Sequence, residues 1–152
     1  MSTTPPAPPP AGTSSTTGTT TSTPAAITTA AAYEVILPTG PLQSVVLPEN
    51  QDIDKEVTFK APGVDAAKRS VLTFRVKPEG GKVKLRAALK RPVGDQFLFE
   101  LEFEGPPRSW HDVIQPGVLE QENTLILKKT GGPGKITITD MVLFFQARST
   151  SS

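Results

Sequence analysis

The side chains that could carry chemistry are few, and two short segments hold most of them. His111 is the single histidine, and it lies between Trp110 and Asp112. A histidine beside a carboxylate is a pair that general acid–base catalysis uses. Adjacent residues of a strand point to opposite faces, however, so Asp112 would share a side with Trp110 and not with His111. Since no nucleophile lies at an identifiable spacing, the sequence predicts no catalytic residue and no enzyme.

Acidic side chains alternate at Asp52, Asp54 and Glu56. Carboxylate oxygens at this spacing could hold a calcium ion at the start of a strand. The segment lacks the glycine and the number of ligands of a dedicated calcium loop. Solvated carboxylates that discourage pairing at a sheet edge are therefore the favoured interpretation, and we predict neither a metal nor a cofactor.

Two aromatic residues could offer a sugar ring an apolar surface with a polar handle. Trp110 is the single tryptophan and Tyr33 the single tyrosine, and Arg108 lies two residues before Trp110. These three side chains are the candidate contacts for a glycan or for a protein interface. A tryptophan after Pro106 and Pro107 could equally close the end of a β-sandwich or anchor an interface, and these two interpretations are favoured over a glycan contact.

Composition excludes several classes of protein. The 152 residues include 16 Lys and Arg against 15 Asp and Glu, for a net charge of +1. This balance favours neither nucleic acid nor an anionic membrane as a partner. The chain has no cysteine, which excludes disulfides and thiolate metal sites. No signal peptide and no membrane span is visible, so we expect synthesis inside a cell, followed by retention there or release by lysis, in a virion or other large particle assembled in the cytoplasm.

The composition changes abruptly at Tyr33. Residues 1–32 contain no charged and no aromatic side chain, and they consist almost entirely of Thr, Ser, Pro, Ala and Gly. Such a segment cannot bury enough apolar surface to offset the entropy of ordering it. We predict a disordered or extended arm or linker over 1–32, a domain over 33–148 and a flexible tail over 149–152. The arm could be a solvated spacer or a strap that binds a neighbouring subunit through Pro5, Pro6, Pro8, Pro9, Pro10 and Ile27.

From Tyr33 onward, apolar and polar residues alternate between breaks that contain Pro and Gly. This period is typical of short strands in a sandwich or barrel. Proline at this frequency disfavours long helices, although residues 113–122 could hold one helical turn. The glycine-rich segment 131–134 precedes a strand rather than a helix, so it predicts a hairpin turn and not a phosphate loop. The predicted strands are 33–37, 43–47, 55–61, 69–77, 81–90, 96–104, 109–114, 123–129 and 135–146.

One strand pairing can be predicted residue by residue. An antiparallel hairpin of 81–90 with 96–104 gives a single register in which an apolar row and a charge ladder agree. The apolar row pairs Val83 with Phe103, Leu85 with Leu101, Ala87 with Phe99 and Leu89 with Phe97. The ladder pairs Lys82 with Glu104, Lys84 with Glu102 and Arg86 with Glu100. The basic run at 82–91 is therefore interpreted as half of a ladder and not as a nucleic-acid patch.

Large apolar residues on the inward period form the predicted core, which is sufficient for a domain that folds alone. Its members are Val57, Phe59, Leu72, Phe74, Val76, Val83, Leu85, Phe97, Phe99, Leu101, Phe103, Leu125, Leu127, Ile136, Ile138, Leu143 and Phe145.

Three segments resemble the galactose-binding-like jelly roll that many carbohydrate-binding modules use. They are 57–62 with 70–76, 116–119 with 122–127, and 131–143, which carries Asp140 as the single Asp of the last strand. The resemblance covers roughly 55–146. It implies an all-β, antiparallel jelly-roll sandwich of about eight or nine strands. It also implies either sugar binding or, as in virion and tail components, a building-block role.

Two functions follow as expectations. The main prediction is a non-enzymatic structural or interaction protein, namely an accessory (decoration, cement or fibre) subunit of a phage or virus-like particle. The arm would anchor it to other protein subunits, including copies of itself. The alternative prediction is a carbohydrate-binding module on a Pro/Thr-rich linker, with surface glycans as its partners.

Overall fold

The computed structural model describes residues 2–12, 27–38, 40, 43–49 and 53–150. Within these residues the fold is an antiparallel jelly-roll β-sandwich, as predicted, and no α-helix is present. None of the described elements is a helix that could cross a membrane. The strands are β1 (Ile27–Leu37), β2 (Val45–Leu47), β3 (Asp54–Lys60), β4 (Ser70–Glu79), β5 (Val83–Leu89), β6 (Gln96–Phe103), β7 (Arg108–Ile114), β8 (Glu122–Gly131) and β9 (Lys135–Thr150).

The described strands form two sheets. The five-stranded sheet has the order β1-β9-β4-β7, with β2 pairing beside β1 along β9, and the four-stranded sheet has the order β3-β8-β5-β6. Every pairing is antiparallel. Strand β9 is the common partner of β1, β2 and β4, so its 16 residues organise the larger sheet.

The core lies between the sheets, and aromatic side chains join them. Phe74 of the five-stranded sheet stacks on Phe99 of the four-stranded sheet with ring centroids 5.5 Å apart. Phe103 meets the edge of Phe74, at 6.5 Å between centroids. Most of the predicted core is buried, and Val57 and Leu101 pack against it partly buried. The prediction missed Leu37, Leu47, Ala61, Ala87, Leu89, Ile114, Leu119 and Met141, which are also buried.

A β-bulge corrects the predicted hairpin at one end. The pairs from Val83–Phe103 to Ala87–Phe99 are confirmed, but the register then shifts and Leu98 is left without a partner. Ala88 pairs with Phe97, and Leu89 pairs with Gln96. The predicted Leu89–Phe97 pair is therefore wrong, and so is the placement of Phe97 in the core. The extra residue turns Phe97 to the outer face, where its side chain is 50% exposed.

Two further predictions differ from the structure. Strand β1, predicted over 33–37, begins at Ile27, because the backbone of Thr28 to Ala32 pairs with the end of β9. Small residues such as Ala and Thr give no apolar period, so the sequence pattern does not reveal this pairing. The helical turn considered for 113–122 is absent from that described stretch, where β7 ends at Ile114 and a turn follows.

The glycine-rich segment between β8 and β9 is a tight hairpin turn, as predicted. Gly132 has a φ of 86°, and a Cβ there would collide with the carbonyl oxygen of Lys82. The buried ammonium of Lys129 donates a hydrogen bond to the carbonyl of Gly134 in this turn at 3.0 Å. It donates another to the carbonyl of Pro48, directly after β2, at 2.9 Å. A buried cation with such partners avoids the cost of an unpaired polar group.

We expect the bulge to make two neighbouring phenylalanines very different in their contribution to stability. Phe99→Ala should lower the free energy of unfolding by about 3–5 kcal/mol, because it removes a buried ring that stacks on Phe74. Phe97→Ala should lower it by less than about 1 kcal/mol, because half of that side chain is already in water. Urea unfolding monitored by circular dichroism measures both values, and equal losses would contradict the bulge.

Candidate functional site

The outer face of the four-stranded sheet carries a groove with an apolar floor. Ile126 of β8, Ala88 of β5 and Phe97 of β6 are register partners, so they form one row across three strands. Asp54, Arg86, Asp95 and Lys128 surround this row. Together with Ala88 and Ile126 they enclose a cavity of about 170 Å³, which we call the groove. Phe97 lies at its β6 side, with its ring half exposed because of the bulge.

Most charged side chains on this face neutralise one another. Lys84 lies opposite Glu102 and Arg86 opposite Glu100, as predicted. The ion pairs, however, run diagonally, from Lys84 to Glu100 at 3.3 Å and from Lys82 to Glu102 at 3.4 Å. Strand twist brings one diagonal of a ladder closer together than the other, which accounts for this choice.

Arg86 and Asp95 differ from their neighbours. Neither takes part in any of the ion pairs formed among the described residues. The guanidinium carbon of Arg86 lies 5.4 Å from the centroid of the Phe97 ring. A cation at this distance is attracted to the ring and restricts its orientation. The groove therefore combines a guanidinium donor and a carboxylate acceptor with the aromatic ring that adjoins it.

A second cavity of about 370 Å³ continues along the same face beside the register pair Thr58–Thr124. Arg91 and Asn123 hold its far wall in place. Arg91 donates hydrogen bonds to the carbonyl of Val118 at 2.5 Å and to Oδ1 of Asn123 at 3.1 Å. The amide of Asn123 also donates to the carbonyl of Glu120 at 2.6 Å. These bonds fix the loop before β8, so this wall is preorganised.

The predicted contact residues do not form one cluster. Trp110 meets the edge of the Phe103 ring at 5.9 Å, and Arg108 lies over the same ring at 5.3 Å. Trp110 pairs with the buried Phe74, so it faces the sandwich interior at the sheet edge and is 39% exposed. Tyr33 lies on the opposite face of the same sheet, beside Phe144. A glycan or interface role for Trp110, Tyr33 and Arg108 stays a prediction.

His111 and Asp112 lie on opposite faces of β7, as alternation predicts. His111 pairs with Thr73 on the outer face, and Asp112 pairs with the buried Leu72. Partial burial raises the pKa of the Asp112 carboxyl, and the charge of His111 and a hydrogen bond from the backbone of Val113 only partly offset this. The raised pKa is a cost of desolvation rather than a sign of a proton relay.

The acidic residues considered as calcium ligands have other partners where they are described. Asp54 lies 3.8 Å from Lys128, and Glu56 lies 3.1 Å from Lys90. Asp52 lies outside the described residues. Among the residues that the structure describes, no group of three or more His, Cys, Asp or Glu side chains is arranged to hold a metal ion.

The arm residues are described only in part. Pro5, Pro6, Pro8, Pro9 and Pro10 belong to a fully exposed segment without regular secondary structure. Ile27 begins β1 and pairs with Thr150. Binding of a partner by the arm stays a prediction, as do the predicted domain boundaries.

Sequence reasoning missed Phe97, Arg86 and Asp95 as site residues. One signal was present, because Phe97, Leu98 and Phe99 are three consecutive apolar residues in a strand that otherwise alternates. Three consecutive apolar side chains of a strand cannot all face the core, so one of them must lie on the outer face, as happens at a bulge. Arg86 was assigned to the charge ladder, and Asp95 to a turn.

A buried carboxylate lies away from the groove, in the loop between β3 and β4. Asp65 is 4% exposed, and Arg148 of β9 donates a hydrogen bond to its Oδ1 at 2.7 Å. The backbone amide of Ala67 donates to the same oxygen at 3.1 Å. The Arg148 guanidinium holds the pKa of Asp65 below its usual value, against an opposing effect of burial. This contact ties the loop to the end of β9 and has a structural role.

Comparison with known proteins places the fold. No family model matches the sequence, and no curated protein matches it. A mutant of CBM29-2, a family 29 carbohydrate-binding module, complexed with cellulohexaose, superposes with a TM-score of 0.51 at 12% identity, over 76% of this chain and 91% of that chain. Another family 29 mutant gives 0.50 at 14% identity, over 77% and 92%. Dimeric latent PorU from Porphyromonas gingivalis gives 0.52 at 9% identity, over 82% of this chain and 13% of that chain.

These similarities confirm the predicted resemblance to carbohydrate-binding-module-like jelly rolls at the level of the fold. The identities are too low for the likeness to establish more than the fold. None of these three structures supports the main prediction of an accessory subunit of a phage or virus-like particle.

We expect the Asp65–Arg148 contact to make stability depend on pH in the acid range. Because the pKa of Asp65 is lower in the folded chain, its contribution is fully present above the ordinary carboxyl pKa of about 4 and is lost as the pH falls below it. The urea midpoint of the wild-type chain should therefore fall between about pH 5 and pH 2. Asp65→Asn should have a lower midpoint at neutral pH and a smaller change over that range.

Glu122→Gln is the matched control for this experiment, because the pair of Glu122 with Lys60 is exposed and 4.0 Å long. It should keep the wild-type pH profile. The raised pKa of Asp112 acts in the opposite direction and is common to all three proteins, so the comparison removes it. Equal slopes for the wild-type chain and Asp65→Asn would show that the contact does not contribute.

Proposed function

We propose that this chain is a carbohydrate-binding module and that its glycan lies in the groove on the outer face of the four-stranded sheet. Phe97 is the observation that carries the proposal. The bulge at Leu98 places a large aromatic side chain where the alternation of the strand would have buried it. Bulges occur where a strand must re-aim a side chain, and they are common beside binding sites.

An exposed aromatic ring beside polar groups suits a sugar, which has apolar C–H faces and hydroxyls around its edge. The Phe97 ring offers the apolar contact, and Ala88 and Ile126 extend it as the floor of the groove. Binding sites of this kind combine apolar walls with a few polar groups that fix the orientation of the ligand. The geometry supports a sugar ring lying on this row with its hydroxyls toward the charged walls.

The polar partners in this arrangement are Arg86 and Asp95. The guanidinium can donate to hydroxyl oxygens and the carboxylate can accept from hydroxyl hydrogens, so together they serve both roles of a hydroxyl. Hydrogen bonds to charged groups are stronger than those between neutral groups. Because Asp54 and Lys128, the other charged residues of the groove, pair with each other, Arg86 and Asp95 are the charged side chains of the groove available to a ligand.

The length of the site points to an oligosaccharide rather than a single sugar. The groove and the second cavity follow one another on β3 and β8, at the register pairs Glu56–Ile126 and Thr58–Thr124. A chain of several sugar units would lie across both. In this function the Thr- and Pro-rich segment before β1 acts as a linker that carries the module.

Affinity electrophoresis against soluble polysaccharides, followed by titration calorimetry with cellohexaose and the best ligand of that panel, tests the proposal. Phe97→Ala should lower the association constant about tenfold or more, which corresponds to the loss of about 1.4 kcal/mol of contact with the ring. Arg86→Ala should also weaken binding, because it removes the guanidinium donor.

Val93→Ala is the control, because Val93 is 99% exposed in the turn between β5 and β6 and does not line the groove. Trp110→Ala distinguishes the two candidate locations. If Trp110→Ala is no longer retarded by the glycan while Phe97→Ala still is, the glycan binds at the sequence-predicted residues and not in the groove. A wild-type chain that no glycan of the panel retards would refute the function itself.

A further inference from the structure

Part of the outer face of the five-stranded sheet is apolar, in contrast to the charged face that carries the groove. Tyr33, Phe144, Val71 and Val113 are register partners in sequence across β1, β9, β4 and β7. Val35 and Val142 lie beside them in the next row. We call these six residues the apolar face. Tyr33 is 67% exposed and Phe144 48%, and their rings lie 6.4 Å apart.

A contiguous apolar patch on a sheet marks a surface that another molecule covers. Eight large apolar side chains are exposed among the described residues. Those that lie on the outer surface of this one sheet are Tyr33, Val35, Val46, Val113 and Phe144. The patch is therefore a concentration of exposed apolar surface and not a scatter of single residues.

A polar cleft adjoins the apolar face along the strands. Thr73, Arg75, Ser109 and Asp140 line a cavity of about 330 Å³. Arg75 is exposed, and no ion pair among the described residues includes it. Asp140 lies at a second bulge, with a φ of 50°, and its Oδ2 accepts the hydroxyl of Thr139 at 2.9 Å.

We propose that the apolar face is a self-association surface on which a second copy of this chain packs face to face. Consider a two-fold axis that runs parallel to the strands, between β9 and β4. It places β1 over the partner's β7 and β9 over the partner's β4. Each row of register partners then lies at the same height along the strands as the same row of the partner. Tyr33 then meets the partner's Val113, and Phe144 meets the partner's Val71.

Charge supports the same arrangement. Because β4 lies over the partner's β9 at the same level, Arg75 meets the partner's Asp140, and the symmetry makes this contact twice. The bulky aromatic half of the apolar face also meets the slimmer valine half, so the surface is complementary to itself, as a two-fold interface requires. Aligned packing of two sheets is a common arrangement for apolar sheet faces.

The other outer face does not fit as the partner surface. The four-stranded sheet carries the ion pairs Lys84–Glu100, Lys90–Glu56 and Lys128–Asp54 on its outer side. Covering these pairs with an apolar surface would remove water from charged groups without new partners, which is costly. Contact between two apolar faces therefore remains the favoured pairing.

The size of the patch sets the strength of the contact. Three interstrand spacings of about 4.8 Å give a width of roughly 14 Å, and the length from Phe144 to Arg75 is similar. The patch therefore covers roughly 200 Å² on each protomer, well below the roughly 800 Å² per partner of a standard interface. We therefore expect a weak dimer that forms toward near-millimolar concentrations, and not an obligate one.

Sedimentation velocity of the full chain over a series from micromolar to near-millimolar concentration tests the proposal. The wild-type chain should shift from monomer to dimer within the series. Tyr33→Glu and Val113→Lys should each raise the dissociation constant about tenfold or more, because each places a charge in an apolar contact. Val93→Glu should associate like the wild-type chain, because Val93 lies far from the apolar face in the turn before β6.

Mixing the two charged variants tests the specific pairing. In a mixed dimer the carboxylate introduced at position 33 meets the ammonium introduced at position 113, while the second such contact keeps its native Tyr and Val. The mixture should therefore associate more strongly than either variant alone. Circular dichroism confirms that both variants remain folded.

Three results would overturn the proposal: a wild-type chain that is monomeric throughout, unchanged association of Tyr33→Glu, or no recovery in the mixture. If the wild-type chain is monomeric and Tyr33→Glu loses glycan retention, the apolar face is a glycan surface instead. The test does not depend on the proposed function, because association is measured without a glycan.

Discussion

Side-chain alternation across two packed sheets is the constraint on which the rest of this structure depends. Each strand sends one set of side chains into a core whose aromatic contacts join the sheets, at Phe74, Phe99 and Phe103. A residue that alternation would point into the core can reach the surface only if the strand contains an extra residue, that is, a β-bulge. The hairpin β5–β6 does so at Leu98, and the same change turns Phe97 outward and leaves Phe99 buried. The candidate site is thus a local exception to the rule that builds the core.

The second bulge has the same physical origin and a different result. In β9, Asp140 and Met141 together lie opposite the single residue Phe74 of β4. Met141 stays fully buried, and Asp140 takes a left-handed backbone conformation that aspartate tolerates better than most residues. Its carboxylate consequently lies beside Arg75 and Ser109 in the cleft that adjoins the apolar face. Each outer surface therefore has a feature located by a bulge, an aromatic ring on one surface and a carboxylate on the other.

Much of the fold could be predicted because its signals are local and agree with one another. The Lys and Glu rows of β5 and β6 are compatible with the apolar row in one register only, and that register is present up to Ala87. The start of β1 could not be predicted, since Thr28 to Ala32 pair through the backbone and have no apolar period. Leu37, Leu47 and Met141 were missed as core residues because they lie at strand ends or at a bulge, where alternation gives no information.

The candidate site was much less predictable than the fold. A ligand surface is made by residues that are distant in sequence, and Asp54, Arg86, Asp95 and Ile126 come together only through the pairing of β3, β8, β5 and β6. The residue types also mislead, because the tryptophan that suggested a sugar contact packs against Phe103 at the sheet edge. Phenylalanine in an alternating strand is normally a core residue. Only the consecutive apolar residues at 97–99 signal that one of them leaves the core.

The positions of the two outer faces on the sandwich determine where a dimer would present its two grooves. The groove and the apolar face lie on opposite sheets, so a dimer formed through the apolar face carries its two grooves on its outermost surfaces, facing away from each other. Two weak sites on one particle bind a repetitive polymer much more tightly than either alone, because the second contact is made at a high local concentration. Such a geometry favours bridging between separate glycan chains over two contacts to one chain, since the grooves point in opposite directions. A small interface that dissociates on dilution would make this bridging depend on the local density of the module itself.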